Sequence, residues 1–259
     1  MVSGEGRGRR RKIGLLAAAC VAVLAVVAWL AWPRDEPTRT TVGDAVRSFR
    51  AEDDGGKAAN GPDEPALGVY RYGTRGSESV NSPVLDTTHD YNGLSTVVLS
   101  TGRCAERERW QVFDGRWTEG ELCTSHGGTT GTVTEFHEFF GVGQKDSFHC
   151  HSGATSAKAG ASFTSFCESD DSSISTTTHV RGTEKVYVGG LAFDTIPVES
   201  RSVFGGAESG SAVRREWRRR SDGLLLRRSV RSEADTSTAG GSHYTERYTI
   251  KLLSTTPKR

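Results

Sequence analysis

The chain has 259 residues, a formal net charge of +1 and a hydrophobic fraction of 35%. Residues 1–12 hold five basic side chains against Glu5 and so carry +4, which leaves everything after them at −3. That balance provides no general basic field for phosphate contacts and excludes a nucleic-acid-binding role for the body of the protein.

Ile13 to Trp32 is a run of 20 residues without a charge. At about 1.5 Å per residue a helix of that length spans roughly 30 Å, the thickness of a hydrocarbon core. Arg7, Arg9, Arg10, Arg11 and Lys12 precede the run, and Pro33, Arg34, Asp35 and Glu36 follow it. The positive-inside rule then keeps residues 1–12 in the cytoplasm and places the rest outside the cell membrane. A cleaved signal peptide has a shorter apolar region and a small-residue cleavage site. This run ends instead in Trp29, Leu30 and Trp32, which suit an interfacial aromatic belt. Cys20, after Ala17-Ala18-Ala19, is where a lipoprotein would be acylated, but the apolar run continues for 12 residues beyond it. The expectation is a single-pass, uncleaved signal anchor at 13–32 carrying an extracytoplasmic domain.

Residues 33–66 read as a linker interrupted by one short helix. Thr41-Val42-Gly43-Asp44 resembles a capping box with Asp in place of Glu or Gln. Val42, Ala45, Val46 and Phe49 fall at i, i+3, i+4 and i+7, which predicts a helix over 41–51 packed on the domain that follows. From 52 to 66 the chain is rich in Asp, Gly and Pro, and no apolar pattern survives.

At Gly68 the pattern changes to period two. Strands are predicted at 69–72, 95–100, 106–113, 116–123, 132–140, 147–151, 163–167, 173–181, 185–188, 191–203, 212–219, 224–233 and 243–253. Asp114-Gly115 and Ser221-Asp222-Gly223 are strong hairpin turns. Residues 67–257 therefore form an antiparallel, mostly β domain. Apart from Cys20 it holds Cys104, Cys123, Cys150 and Cys167, an even number that in an exported domain reads as two disulfides. Three connectivities are possible, and spacing favours Cys104–Cys123 with Cys150–Cys167. Each would close a loop of just under 20 residues, worth roughly 3 kcal/mol.

The hairpin Trp217-Arg218-Arg219-Arg220-Ser221-Asp222-Gly223-Leu224-Leu225-Leu226-Arg227-Arg228 resembles the W-x-D-x-x-T-G-L-P-L-R hairpin of the LolA-like, RseB-like and LppX-like lipoprotein-carrier superfamily. The order of helix 41–51, Val69-Tyr70-Arg71-Tyr72 and a last strand ending in Leu252-Leu253 is similar too. Arg219 replaces the family's acidic residue, and the four-cysteine framework is additional. The layout, with Gly68-Val69-Tyr70-Arg71-Tyr72 as its opening, is also similar to uncharacterised single-pass exported proteins of high-GC Gram-positive bacteria. The resemblance to the carrier superfamily implies a large curved antiparallel sheet, a half-barrel with one N-terminal helix, that wraps around an apolar cavity and binds a lipid or amphipathic envelope ligand. It also implies an alternative, a sensor or regulator that binds another membrane protein.

Three constellations were candidates for chemistry. His149 and His151 share one face of a strand, and His137 could join them as a metal ligand; the competing reading is a solvated face opposite a disulfide. Glu135-Phe136-His137-Glu138 lacks the second histidine of a zincin, and no nucleophile elbow, phosphate loop or dinucleotide fingerprint occurs. Neither catalysis nor a cofactor is expected, and a metal-dependent hydrolase is the least favoured reading. Eight arginines lie between Arg214 and Arg231. Arg214, Arg218, Arg227 and Arg231 form a candidate patch for anionic surfaces, against the reading of a charged edge kept soluble.

Overall fold

The computed structural model describes residues 37–52, 64–83, 86–102, 106–125, 128–153, 158–236 and 241–259. The expected span at 13–32, Cys20 and Cys104 lie outside the described residues. No helix among the described residues is long and apolar enough to cross a membrane.

One helix, α1 (Val42–Glu52), precedes β1 (Gly68–Asn81), β2 (Asp86–Asp90), β3 (Gly93–Thr101), β4 (Glu106–Phe113) and β5 (Arg116–Ser125). Then come β6 (Gly128–Phe139), β7 (Val142–Ser152), β8 (Ser162–Glu168), β9 (Ser172–Val180) and β10 (Glu184–Val188). The last four are β11 (Leu191–Gly206), β12 (Glu208–Arg219), β13 (Leu225–Thr236) and β14 (Ser242–Leu252). Asp44 accepts the hydroxyl of Thr41, whose Oγ1 in turn accepts the Asp44 N–H at 3.1 Å, so the N-terminal box forms with an Asp in it. Ala45 and Phe49 of α1 are buried in the core. An antiparallel bridge joins Arg39 to Phe113. Residues 39–52 thus belong to the folded unit and are not free tether.

The sheet does not stay open as the expected half-barrel. It closes. β14 pairs with β1 over ten residues and β9 pairs with β11 over nine, so twelve antiparallel strands form a continuous barrel. Closure satisfies the backbone groups that an open sheet would leave along two edges. β2 lies outside this ring. It continues along the edge of β1 beyond the end of β3, and β10 does the same on β11 beyond β9.

Alternation fixes what faces inward. On β1 these are Tyr70, Tyr72, Thr74, Gly76, Glu78 and Val80, and the register carries that parity around the wall. Gly76 has φ 139°, and a Cβ there would sit 2.0 Å from the carbonyl oxygen of Arg247 on β14, so only glycine fits. Trp110 stacks on Tyr248 with ring centroids 4.6 Å apart. With Tyr70, Tyr72, Tyr91 and Phe113 they fill the side of the barrel formed by β1, β3, β4 and β14. Leu224, Leu225, Leu226 and Val188 join the same core. Twelve strands enclose more space than eight, which side chains can just fill. Much of the rest of this interior is occupied by long charged side chains.

Candidate functional site

Two charge networks lie inside the barrel. In the first, Glu78 of β1 is fully buried. Its Oε1 accepts the His89 Nδ1–H at 3.0 Å, and its Oε2 accepts the Tyr244 hydroxyl at 3.1 Å and the His137 Nδ1–H at 3.3 Å. Arg116 Nε is 3.6 Å from the same carboxylate. Arg116 reaches on to Glu246 Oε1 with Nε at 3.0 Å and Nη2 at 2.8 Å, and the Tyr91 hydroxyl donates to that oxygen at 2.8 Å. His89 comes from β2 directly opposite Glu78 and stacks on Phe139 at 4.6 Å. Burial by itself would raise the Glu78 carboxyl. The hydrogen bonds from His137 and His89 and the charge of Arg116 outweigh it and hold the group well below the usual carboxylate range. Burial and Arg116 oppose the charged form of His137, yet Glu135 and Glu78 raise its pKa above the ordinary value. Glu135 itself is lowered to about 2, with burial opposed by the His137 hydrogen bond and the Arg116 charge.

The second network is a closed ring of two carboxylates and two guanidiniums. Arg228 joins Glu216 at 2.7 Å and also Glu108, while Arg218 joins Glu216 at 2.9 Å and Glu108 at 3.0 Å. Its members come from β4, β12 and β13, so it ties opposite walls together. Burial raises the Glu216 carboxyl, but Arg218 and Arg228 overcome that and hold it far down. A third contact crosses the barrel. Gln144 Nε2 of β7 donates to Asp146 Oδ2 at 3.0 Å and to Glu208 Oε1 of β12 at 3.4 Å. Burial pushes Asp146 and Glu208 up, and the Asp146 charge adds to the shift at Glu208.

Arg214 lies between the two main networks. It faces inward on β12, and its charge lowers both Glu135 of the first and Glu216 of the second. Of the four inward guanidiniums, Arg116, Arg218 and Arg228 are paired. Arg214 alone has no hydrogen bond or ion pair among the described residues, and it remains exposed. Inward-facing Leu122 is 49% exposed, and inward Val133, Ile196, Val198 and Ala212 are only half-buried. This part of the interior is open to solvent. A separate cleft of about 400 Å³ between Asn81-Ser82-Pro83 and Asp235-Thr236 lies at the rim and holds the exposed His243–Asp235 pair.

The sequence candidates fall in different places. His137 joins the first network, whereas His149 and His151 face outward on β7, so the three do not converge. No group of three His, Cys, Asp or Glu side chains among the described residues is placed to hold a metal. Cys150 and Cys167, opposite each other on β7 and β8, form a disulfide. Cys123 is also disulfide-bonded; its expected partner Cys104 is outside the described residues. The four patch arginines do not share a face. Arg214 and Arg218 point inward, Arg227 stacks on Trp217 at 4.5 Å, and Arg231 is exposed on the outer wall. Sequence reasoning missed Glu78, His89, Arg116 and Glu246. The available signal was Val133, Glu135, His137 and Phe139, a single strand face that mixes apolar and ionisable side chains.

The fold and interior define a closed twelve-stranded antiparallel β-barrel with a charged, partly solvent-open lumen. No protein-family model matches the chain, and neither does any curated protein sequence.

Proposed function

We propose that the protein is a membrane-tethered extracytoplasmic binding module whose ligand is amphipathic, with an anionic head directed at Arg214 and an apolar part along Leu122, Val133, Ile196 and Val198. The observation that carries this reading is the exposed, unpaired Arg214 in an interior where every other guanidinium is neutralised. A guanidinium fork suits a carboxylate or phosphate head, and half-buried aliphatic side chains suit a chain. The tether at 13–32 is supported by the apolar run and its basic flank. The lipoprotein-carrier resemblance points to the same ligand class through the Trp217–Arg228 hairpin, with a closed barrel in place of the family's open sheet. No step of catalysis is assigned to the His89–Glu78–His137 group: His89 is buried, and His137 lies between Glu78 at Nδ1 and Glu135 at Nε2.

The test is mass spectrometry of organic extracts from the purified full chain, with titration of a fluorescent fatty acid. A co-purifying anionic amphiphile, and at least about tenfold weaker fatty-acid binding by Arg214→Gln, are expected for the loss of one charge-assisted contact. No extracted amphiphile together with unchanged affinity in Arg214→Gln would overturn the proposal.

A further inference from the structure

The outer wall of β1, β12, β13 and β14 carries a second feature, independent of the lumen. Its outward side chains fall in three rows, each about 7 Å from the next along the strands. In the first row Arg227 of β13 stands directly opposite Lys251 of β14. In the second, Arg75 of β1 is opposite Thr249, Thr249 is opposite Ser229, and Ser229 is opposite Arg215 of β12. In the third, Arg231 stands directly opposite Arg247, with Ser77 and Val213 at either side. Six cations thus share one face, and no carboxylate points outward among them on these four strands.

Only Arg215 is neutralised, by Glu184, and Arg227 stacks on Trp217. Arg75, Arg231, Arg247 and Lys251 are exposed and make no ion pair or hydrogen bond among the described residues. Like charges directly opposed across a strand pair cost stability, and here two such pairs stand on adjacent strands of a domain that is acidic overall. The arrangement is unfavourable for the isolated protein and favourable once an anion bridges the rows.

We infer that this wall binds a linear polyanion with repeated phosphates. A bilayer is the weaker fit. The wall is the convex outside of a barrel, which meets a flat membrane only along a narrow line. Membrane-surface binding also needs apolar side chains to insert. Of the two apolar side chains in the rows, Trp217 is buried beneath Arg215 and Arg227, which leaves only Val213, at one corner, exposed. Ser77, Ser229, Thr249 and Gly73 fill the remaining positions, so a flexible chain can follow the rows and place successive phosphates against Arg75, Arg247, Arg231 and Lys251.

The experiment uses the full chain in phosphatidylcholine nanodiscs, with long-chain inorganic polyphosphate as one probe and phosphatidylglycerol vesicles as the other. The protein is expected to bind polyphosphate with an affinity that falls steeply with salt. The variant R75Q/R231Q/R247Q/K251Q is expected to bind at least about tenfold more weakly, with a slope of log affinity on log salt reduced by roughly 3. Its Tm should not fall, because the opposed like charges are relieved, which separates lost binding from lost folding. Arg214→Gln, which probes the lumen, should leave polyphosphate affinity unchanged. Absence of polyphosphate binding, retention of it by the quadruple variant, or binding to the anionic vesicles alone would each overturn the inference.

Discussion

Arg116 of β5 and Glu246 of β14 meet at 2.8 Å across the barrel, with β1, β3 and β4 lying between their strands around the wall. Both side chains are nearly excluded from water, at 3% and 5% exposure. A buried pair of this kind contributes little net stability over an apolar substitute, but removing one member leaves an uncompensated charge. Arg116→Met is therefore expected to destabilise by about 3–5 kcal/mol. Arg116→Met/Glu246→Met should recover a large part of that loss, since no carboxylate is then left without its direct guanidinium hydrogen bonds. Tyr91 still loses its acceptor, and Glu78 and Glu135 lose a neighbouring charge. Urea denaturation of the three proteins reads this, and additive losses would show that the two residues act separately.

The titration of the networks sets a stability profile with two limbs. Glu78, Glu108, Glu135 and Glu216 all sit below their ordinary value of 4.5 in the folded state. Their contribution is present above pH 4.5 and is lost as the pH falls further, because the unfolded chain takes up protons first. His137 is raised above 6.5, so its contribution is full below pH 6.5 and is lost as the pH rises through its folded value. Substituting Gln for His137 should cost most stability at pH 5–6 and progressively less toward pH 9. Urea midpoints across that range decide it, and a pH-independent deficit would remove His137 from the alkaline limb.

Much of the wall was legible in the sequence. Alternation and the Asp114-Gly115 turn predict β4 at 106–113, and the structure has it at Glu106–Phe113. The Ser221-Asp222-Gly223 turn likewise separates β12 from β13, with Gly223 at φ 74°. β2 was not legible, because Asp86-Thr87-Thr88-His89-Asp90 has no aliphatic residue and is held by its pairing to β1. Closure was not legible either, since the β14–β1 register joins residues near opposite ends of the chain. The interior was hidden for a different reason. Glu216, Arg218 and Arg228 look like a solvated face in any strand read alone, and only a barrel wide enough to need long side chains turns that face inward.

Asp146 and Glu208 stand apart from the other interior carboxylates, because the folded state raises them. A raised carboxylate favours folding where it is protonated and opposes it as the pH climbs past its unfolded value through its folded one. Both face the lumen, where the Gln144 amide donates to each of them, and the charge of one disfavours the charge of the other. Asp146→Asn should raise Tm by a few degrees at pH 7 and change it little at pH 3.5, where the native carboxyl is already neutral. Equal gains at both pH values would mean that packing, not charge, is responsible.

The weakest seam of the barrel is the one between β7 and β8. These strands share four residue pairs, from His149–Glu168 to Ser152–Ser165, whereas β6 and β7 share eleven. Val142 to Phe148 have no partner on β8, so little backbone pairing holds the wall closed there. The Cys150–Cys167 disulfide sits within that short pairing and links positions 17 apart in sequence. In the chain-entropy view a loop of this size is worth about 3 kcal/mol, and here the bond also clamps the seam. Cys150→Ala/Cys167→Ala should lose about that much global stability. Amide exchange should in addition accelerate most in Ser162–Glu168 while the β13–β14 pairing keeps its relative protection. Acceleration spread evenly over all twelve strands would show that the bond acts only on the unfolded chain.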